Sequence, residues 1–250
     1  MWLDARYGTV TLPRSPNYGL RRQGDGARPD MVVIHYTAME TVEAAVARLC
    51  DPAAEVSAHY VIAVDGRVFP LVSEHHRAWH AGAGAWGEVK DVNSHSIGIE
   101  LANLGPDSAC PHFPEEQMEP LERILAEILR RYRIPPERVV GHSDIAPGRK
   151  IDPGPCFDWR RLAERGMSIW EEGEADAANW PRFKAAALKF GYRPPEQNDE
   201  GWHTVLDAFR LRFRPFHDGE LDPTDVGTLE ALANKYPCAS VDLGGPRQII

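Results

Sequence analysis

MVVIHY, residues Met31–Tyr36, decides the fold. It is a short, nearly continuous run of apolar residues, rich in β-branching and bounded by Pro29 and Thr37. Such a run reads as a central strand buried on both faces, the kind found in an α/β sheet. His35 stands at its C-terminal end, the edge along which α/β sheets place their ligands.

Working outward, Thr41–Cys50 has apolar residues at helical spacing, with Thr41 as the cap. Ser57–Val72 reads as a hairpin, two apolar runs about a two-residue Asp65-Gly66 turn. A histidine and tryptophan cluster follows on a loop, His75 to Gly82. Ser96–Leu101, SIGIEL, is another strand and carries Glu100, a carboxylate that needs a partner or a task among apolar neighbours. Pro114–Arg133 is an amphipathic helix stopped by Pro135 and Pro136. Arg138-Val139-Val140 then reads as a strand delivering a Gly- and Pro-rich loop, GHSDIAPGRKIDPGPCFDW (141–159), and Asp158–Arg165 as a short helix. Residues 1–30 are punctuated too often for long elements and read as an arm wrapped on the main domain. The fold class is therefore α/β, a mixed central β-sheet flanked by helices, over residues 1–170.

The character changes near Glu171. Residues 171–176 read as a solvated acidic linker. Residues 177–250 carry three helical candidates, Trp180–Phe190, Gly201–Phe213 and Thr224–Tyr236, a small C-terminal three-helix domain with little core of its own. Across 250 residues the composition, 43% hydrophobic and 26% charged, is that of a globular protein, and the net charge of −9 argues against nucleic-acid binding. No apolar run reaches the length of a membrane span. Met1–Tyr7 has no basic n-region and apolar h-region, so the chain as it stands is expected in the cytoplasm, or in the periplasm or cell envelope if a leader has been lost. Cys50, Cys110, Cys156 and Cys238 are scattered, and in a non-exported protein four reduced thiols are expected.

The chemistry concentrates in the 141–159 loop. His142 and Asp152 are metal-ligand types, and Lys150 can hold an anion. Together with His35 they would give two imidazoles and one carboxylate, leaving a position open as catalytic Zn2+ sites do. On spacing alone, the reading of His35 and His142 as ordinary strand-end histidines is the stronger one. Cys156 lies near, but His142 and Asp152 already suit the task. His75, His76 and His112 read as surface histidines. Lys150 and Asp152 stand two apart and point the same way if the segment is extended.

VVIHYTA (32–38), SAHYVI with DGRV (57–68), AWHAG (78–82), SIGIELAN (96–103) and GHSDIAPGRKIDPGP (141–155) together resemble the zinc-dependent N-acetylmuramoyl-L-alanine amidases of type 2, the AmpD/AmiD-like family. That family shares its fold with the peptidoglycan recognition proteins. The likeness covers roughly residues 10–165 in order. It implies a hydrolase that cuts the amide between the lactyl group of N-acetylmuramic acid and L-alanine of the stem peptide. By resemblance His35, His142 and Asp152 are the zinc ligands, Glu100 is the general base and Lys150 stabilises the oxyanion. Tyr36, His59, Trp79, His80 and Asn103 stand in the same motifs and are expected to line the substrate groove. Arg149 is expected to meet a stem-peptide carboxylate. LKFGY (188–192), VLDAFRLRFRP (205–215), DGELDPTD (218–225) and LEALANKYP (229–237) resemble a three-helix peptidoglycan-binding domain, the alternative being a helical appendage that only stabilises. The partner implied is a muropeptide or peptidoglycan, bound by a monomer. Two other functions share these features: a non-catalytic muropeptide recognition protein of the same fold, and a zinc peptidase acting within the stem. Retention of all three ligands with Glu100 and Lys150 favours the amidase. The N-terminus favours cytoplasmic recycling of anhydro-muropeptides; the wall-binding likeness favours polymer.

Overall fold

Burial of the Met31–Tyr36 strand organises the computed structural model, which describes residues 13–22, 27–105, 112–194 and 198–238. Cys110, the outer part of the N-terminal arm and residues 239–250 lie outside the described residues. The elements in chain order are β1 (Tyr18–Gly19), β2 (Met31–Tyr36), α1 (Val42–Cys50), β3 (Tyr60–Ile62), β4 (Val68–Pro70), β5 (Arg77–Ala78), α2 (Val92–His95), β6 (Ser96–Leu101), α3 (Glu115–Tyr132), β7 (Val139–Gly141), α4 (His142–Ile145), α5 (Trp159–Glu164), α6 (Trp180–Phe190), α7 (Asp199–Phe213) and α8 (Pro223–Lys235). The main sheet has the order β4-β3-β6-β2-β7. β2 runs parallel to β6 and β7, and β6 parallel to β3; only β4 is antiparallel, at the edge. The mixed sheet flanked by helices is thus present.

Strand parity sorts the side chains. Val32 and Ile34 meet Leu121, Leu125 and Ile128 of α3 on one face. Met31 and Val33 face the other way, into a cluster that includes Val140, Phe183, Phe209 and Leu229. The sheet and the C-terminal helices therefore bury one common core. His35 follows the parity of Met31 and Val33, so it belongs to the face that those helices cover.

Several local features follow from named residues. Thr41 caps α1 by accepting from Ala44 N–H. The β3–β4 connection is one residue longer than expected. Gly66 N–H donates to Ala63 O and Ala63 N–H to Arg67 O, which leaves a three-residue Val64-Asp65-Gly66 loop with Gly66 at φ 83°. The described part of the arm is tied down, with Ser15 N–H donating to Leu71 O and β1 pairing β5. Residues 171–176, expected as a solvated linker, are also fastened. Glu171 pairs Lys235, Ala175 N–H donates to Pro223 O, and a Cβ at Gly227 would fall 2.4 Å from Glu174 Cα. Cys156 is disulfide-bonded, while Cys50 and Cys238 are free. This corrects the expectation of four reduced thiols, because scattered sequence positions do not reveal which sulfurs the fold brings together. No described helix is long and apolar enough to cross a membrane.

Candidate active site

The site forms where β2, β6 and the loop after β7 meet. In the parallel register His35 lies beside Glu100, so both side chains emerge on one face. β7 ends at Gly141, and His142 opens the four-residue helix α4. The loop then returns, with Ser143 N–H donating to Asp152 O at 2.9 Å. His35 Nδ1, His142 Nδ1 and Asp152 Oδ2 converge, each pair 2.9 to 3.0 Å apart. His35 is 1% exposed, His142 4% and Asp152 6%.

This donor set fits a divalent cation. His142 Nε2 lies 3.0 Å from Ala81 O, a carbonyl that can only accept, so Nε2 carries the hydrogen and Nδ1 offers a lone pair. A buried lone pair facing a second imidazole and a carboxylate is the arrangement a cation satisfies, and two imidazoles with one carboxylate suit a borderline ion such as zinc. Burial, with the adjacent His142, pushes His35 down to about 4, so its ring is neutral at neutral pH as a ligand must be. Burial alone would raise the Asp152 carboxyl, but contacts from His142 and His35 outweigh it and hold it well below the usual range.

Glu100 is half-buried as a residue, yet its Oε2 is fully enclosed and has no hydrogen-bond partner among the described residues. Burial, and then the Asp152 charge, push its carboxyl well above the ordinary range, with Lys150 opposing. Lys150 is exposed and lines the same cleft of about 250 Å3, together with Tyr36 and Trp79. A polar group left unpaired in a cleft beside a cation-binding set is a candidate acid–base catalyst.

The remaining expected groove residues separate. Asn103 borders the adjoining hollow beside Leu104, and its Oδ1 accepts from Gly105 N–H. His59 is 0% exposed, its Nδ1 accepting from Gly98 N–H and its Nε2 lying 3.1 Å from His76 O. Its place is beneath the site rather than along a groove, since both ring nitrogens are used inside the protein. His80 is largely buried, its ring wedged between His35 and Ser96, yet it still borders the cleft. Arg149 is turned away from the cleft, its guanidinium holding the Ala81 and Ala83 carbonyls. His75 and His112 are exposed, and His76 stacks on Tyr18 at 4.5 Å. Another group with ligand chemistry, His217, Asp222 and Asp225, is paired with Arg210 and Arg214, which cancels the charge a cation would need.

Sequence reasoning missed the residues behind α4. Asp144 is 0% exposed; it accepts from Gly141 N–H at 2.8 Å, from Arg212 at 2.8 Å and from the Tyr192 hydroxyl at 2.6 Å. Arg212, 1% exposed, also donates to Val139 O and lies 4.3 Å over the Trp159 ring. The helical half thus reaches the helix that presents His142. The one available signal was Arg212 itself, a charge inside VLDAFRLRF between apolar positions.

Comparison with known proteins agrees with this geometry. A family model described as N-acetylmuramoyl-L-alanine amidase matches residues 25–155. N-acetylmuramoyl-L-alanine amidase AmiD of Escherichia coli is 36% identical over 86% of this chain and 87% of its own length. 1,6-Anhydro-N-acetylmuramyl-L-alanine amidase AmpD of Enterobacter cloacae is 34% identical over 64% of this chain and 90% of its own. The solved structure of AmpDH3 from Pseudomonas aeruginosa in complex with anhydromuramic pentapeptide superposes with a TM-score of 0.75, at 34% identity over 95% of this chain and 99% of that one. On the site geometry, the family model and the near full-length match to AmiD, the chain belongs to the N-acetylmuramoyl-L-alanine amidase family and is an amidase.

Proposed function

We propose that this amidase is zinc-dependent and hydrolyses the amide joining the lactyl group of N-acetylmuramic acid, or of its 1,6-anhydro form, to L-alanine of a stem peptide. The observation that carries the reading is the convergence of His35, His142 and Asp152 beside Glu100, whose enclosed Oε2 has no partner among the described residues. Those three residues would hold the zinc, which when bound supplies Lewis acidity to water and to the scissile carbonyl. Glu100, enclosed and raised in pKa, takes a proton from the attacking water and passes it to the L-alanine nitrogen as the C–N bond breaks. Lys150 offers a positive charge to the carbonyl oxygen as it becomes anionic. Tyr36 and Trp79 form walls of the cleft against which the sugar or peptide packs. The 1,6-anhydro specificity in the name of the AmpD relative, and the anhydromuramic pentapeptide bound to AmpDH3, support this substrate class.

A specific observation favours a second setting over cytoplasmic recycling. The disulfide at Cys156 is a bond that persists in oxidising compartments, which favours the cell envelope and polymeric peptidoglycan. Mass spectrometry of products from anhydro-muropeptide and from intact sacculi tests bond and substrate together. The expected products are free muramyl sugar, or stripped glycan, and peptide beginning at L-alanine. Cleavage within the stem peptide would overturn the assignment.

A further inference from the structure

The alternation of SIGIEL places Ser96, Gly98 and Glu100 on the site face of β6, beside Met31, Val33 and His35 of β2. The ring of His80 lies across this row. A Cβ built on Gly98 would come within 2.4 Å of His80 Cγ and 2.6 Å of Nδ1, so the ring occupies the space a side chain would take. Its backbone is fixed as well, since His80 N–H and Ala81 N–H both donate to Asn93 Oδ1, at 3.0 and 2.8 Å. His80 meets His35 edge-on, with ring planes at 81°.

The hydrogen bonds along this row have only one consistent direction for neutral rings. Ser96 Oγ lies 2.6 Å from Val92 O, and a carbonyl only accepts, so the hydroxyl hydrogen is committed there. Ser96 Oγ then offers a lone pair to His80 Nε2 at 3.2 Å, which must carry its hydrogen. His80 Nδ1 is therefore an acceptor, and it lies 3.0 Å from His35 Nε2, which must donate. His35 Nδ1 is left bare, and it faces His142 Nδ1 and the acceptor-only Asp152 carboxylate, a set of lone pairs that a cation rather than a ring hydrogen would satisfy.

We infer that His80 is a positioning residue that, anchored by Ser96 and seated over Gly98, locks His35 in the Nε2–H tautomer and presents its Nδ1 lone pair to the metal. The inference rests on the metal reading of His35, His142 and Asp152. Groups that orient metal-ligating imidazoles typically change metal affinity by about 10- to 100-fold when removed.

The test combines ring nitrogen NMR of the 15N-labelled, metal-free full chain with zinc affinity from competition with a fluorescent chelator. In the wild type, His35 is expected as the Nε2–H tautomer before any zinc is added. His80→Leu removes the acceptor and is expected to give mixed His35 tautomers and zinc binding about 10- to 100-fold weaker. His80→Asn restores an acceptor near the Nδ1 position and is expected to stay close to the wild type. Gly98→Ala displaces the ring and should reproduce the His80→Leu result, which covers the case in which His80→Leu does not fold. An Nδ1–H tautomer in the metal-free wild type would overturn the inference, as would equal zinc affinity across the variants. Failure of the wild type to take up zinc would instead overturn the metal reading, and the tautomer spectrum alone would then decide this one.

Discussion

The two imidazoles of the site are held from opposite directions. His35 ends a central strand, and its support runs through His80 and Ser96, within the part of the chain matched by the family model. His142 opens a short helix, and its support runs through Asp144 to Arg212 and Tyr192, beyond that part. One imidazole rests against a chain of side chains anchored in the sheet. The other imidazole stands on a helix braced by the buried Asp144–Arg212 ion pair from the helical half. The difference shows that the helical half is part of the site's architecture, whatever else it binds. It also separates the expected consequences of mutation on the two sides.

On the sheet side, Glu100→Gln is expected to reduce turnover by about 10²- to 10⁴-fold, the usual contribution of a positioned acid–base group. Zinc content and melting temperature should stay near wild type, because Glu100 Oε2 bonds to no other group among the described residues. Normal turnover would remove Glu100 from the chemistry. On the helical side, Arg212→Met leaves the Asp144 carboxylate buried without its cation. Breaking such a pair typically costs about 3–5 kcal/mol, readable by denaturant unfolding. Zinc binding should weaken with it, since Asp144 accepts from Gly141 N–H at the start of the His142 helix. Unchanged stability and zinc affinity would erase the distinction between the two sides.

Tyr192→Phe sharpens the same point with a smaller change. It removes one of the donors to Asp144 and should cost about 1–2 kcal/mol while leaving turnover of the folded enzyme unchanged. Smallest of all is an acid effect at the far end of the helical half. Burial opposes ionisation of Asp222, but Arg214 and the Asp225 N–H outweigh it and hold the carboxyl at about 2. Its folded pKa is thus below its unfolded one. The stabilisation is present at neutral pH and is lost as pH falls from about 4 to about 2. Asp222→Asn should flatten the pH dependence of melting in that window and nowhere else.

Much of this was legible in the residues. Met31–Tyr36 and Ser96–Leu101 are the strands their apolar runs describe, and Trp180–Phe190 is the helix its spacing describes, because central burial leaves one pattern for each. The convergence of His35, Glu100, His142, Lys150 and Asp152 on one cleft also matches the positions singled out by motif. What the residues concealed was direction. A histidine in a motif reads the same whether its ring faces substrate or the back of a neighbouring imidazole, so His59 and Arg149 were expected at the groove and lie elsewhere, while His80 borders the cleft with its ring turned onto His35. Arg212 was hidden by the opposite bias, since a charge in an amphipathic helix normally faces water. Only the docking of α7 against α4 makes its burial favourable, and that contact spans 68 residues of sequence between Asp144 and Arg212.

The most direct test of the account is a zinc titration of the metal-free enzyme, with turnover of an anhydro-muropeptide measured on the same samples. The account predicts no hydrolysis without metal, activity rising in proportion to bound zinc, and saturation at one ion per chain. Full turnover after complete metal removal would contradict it.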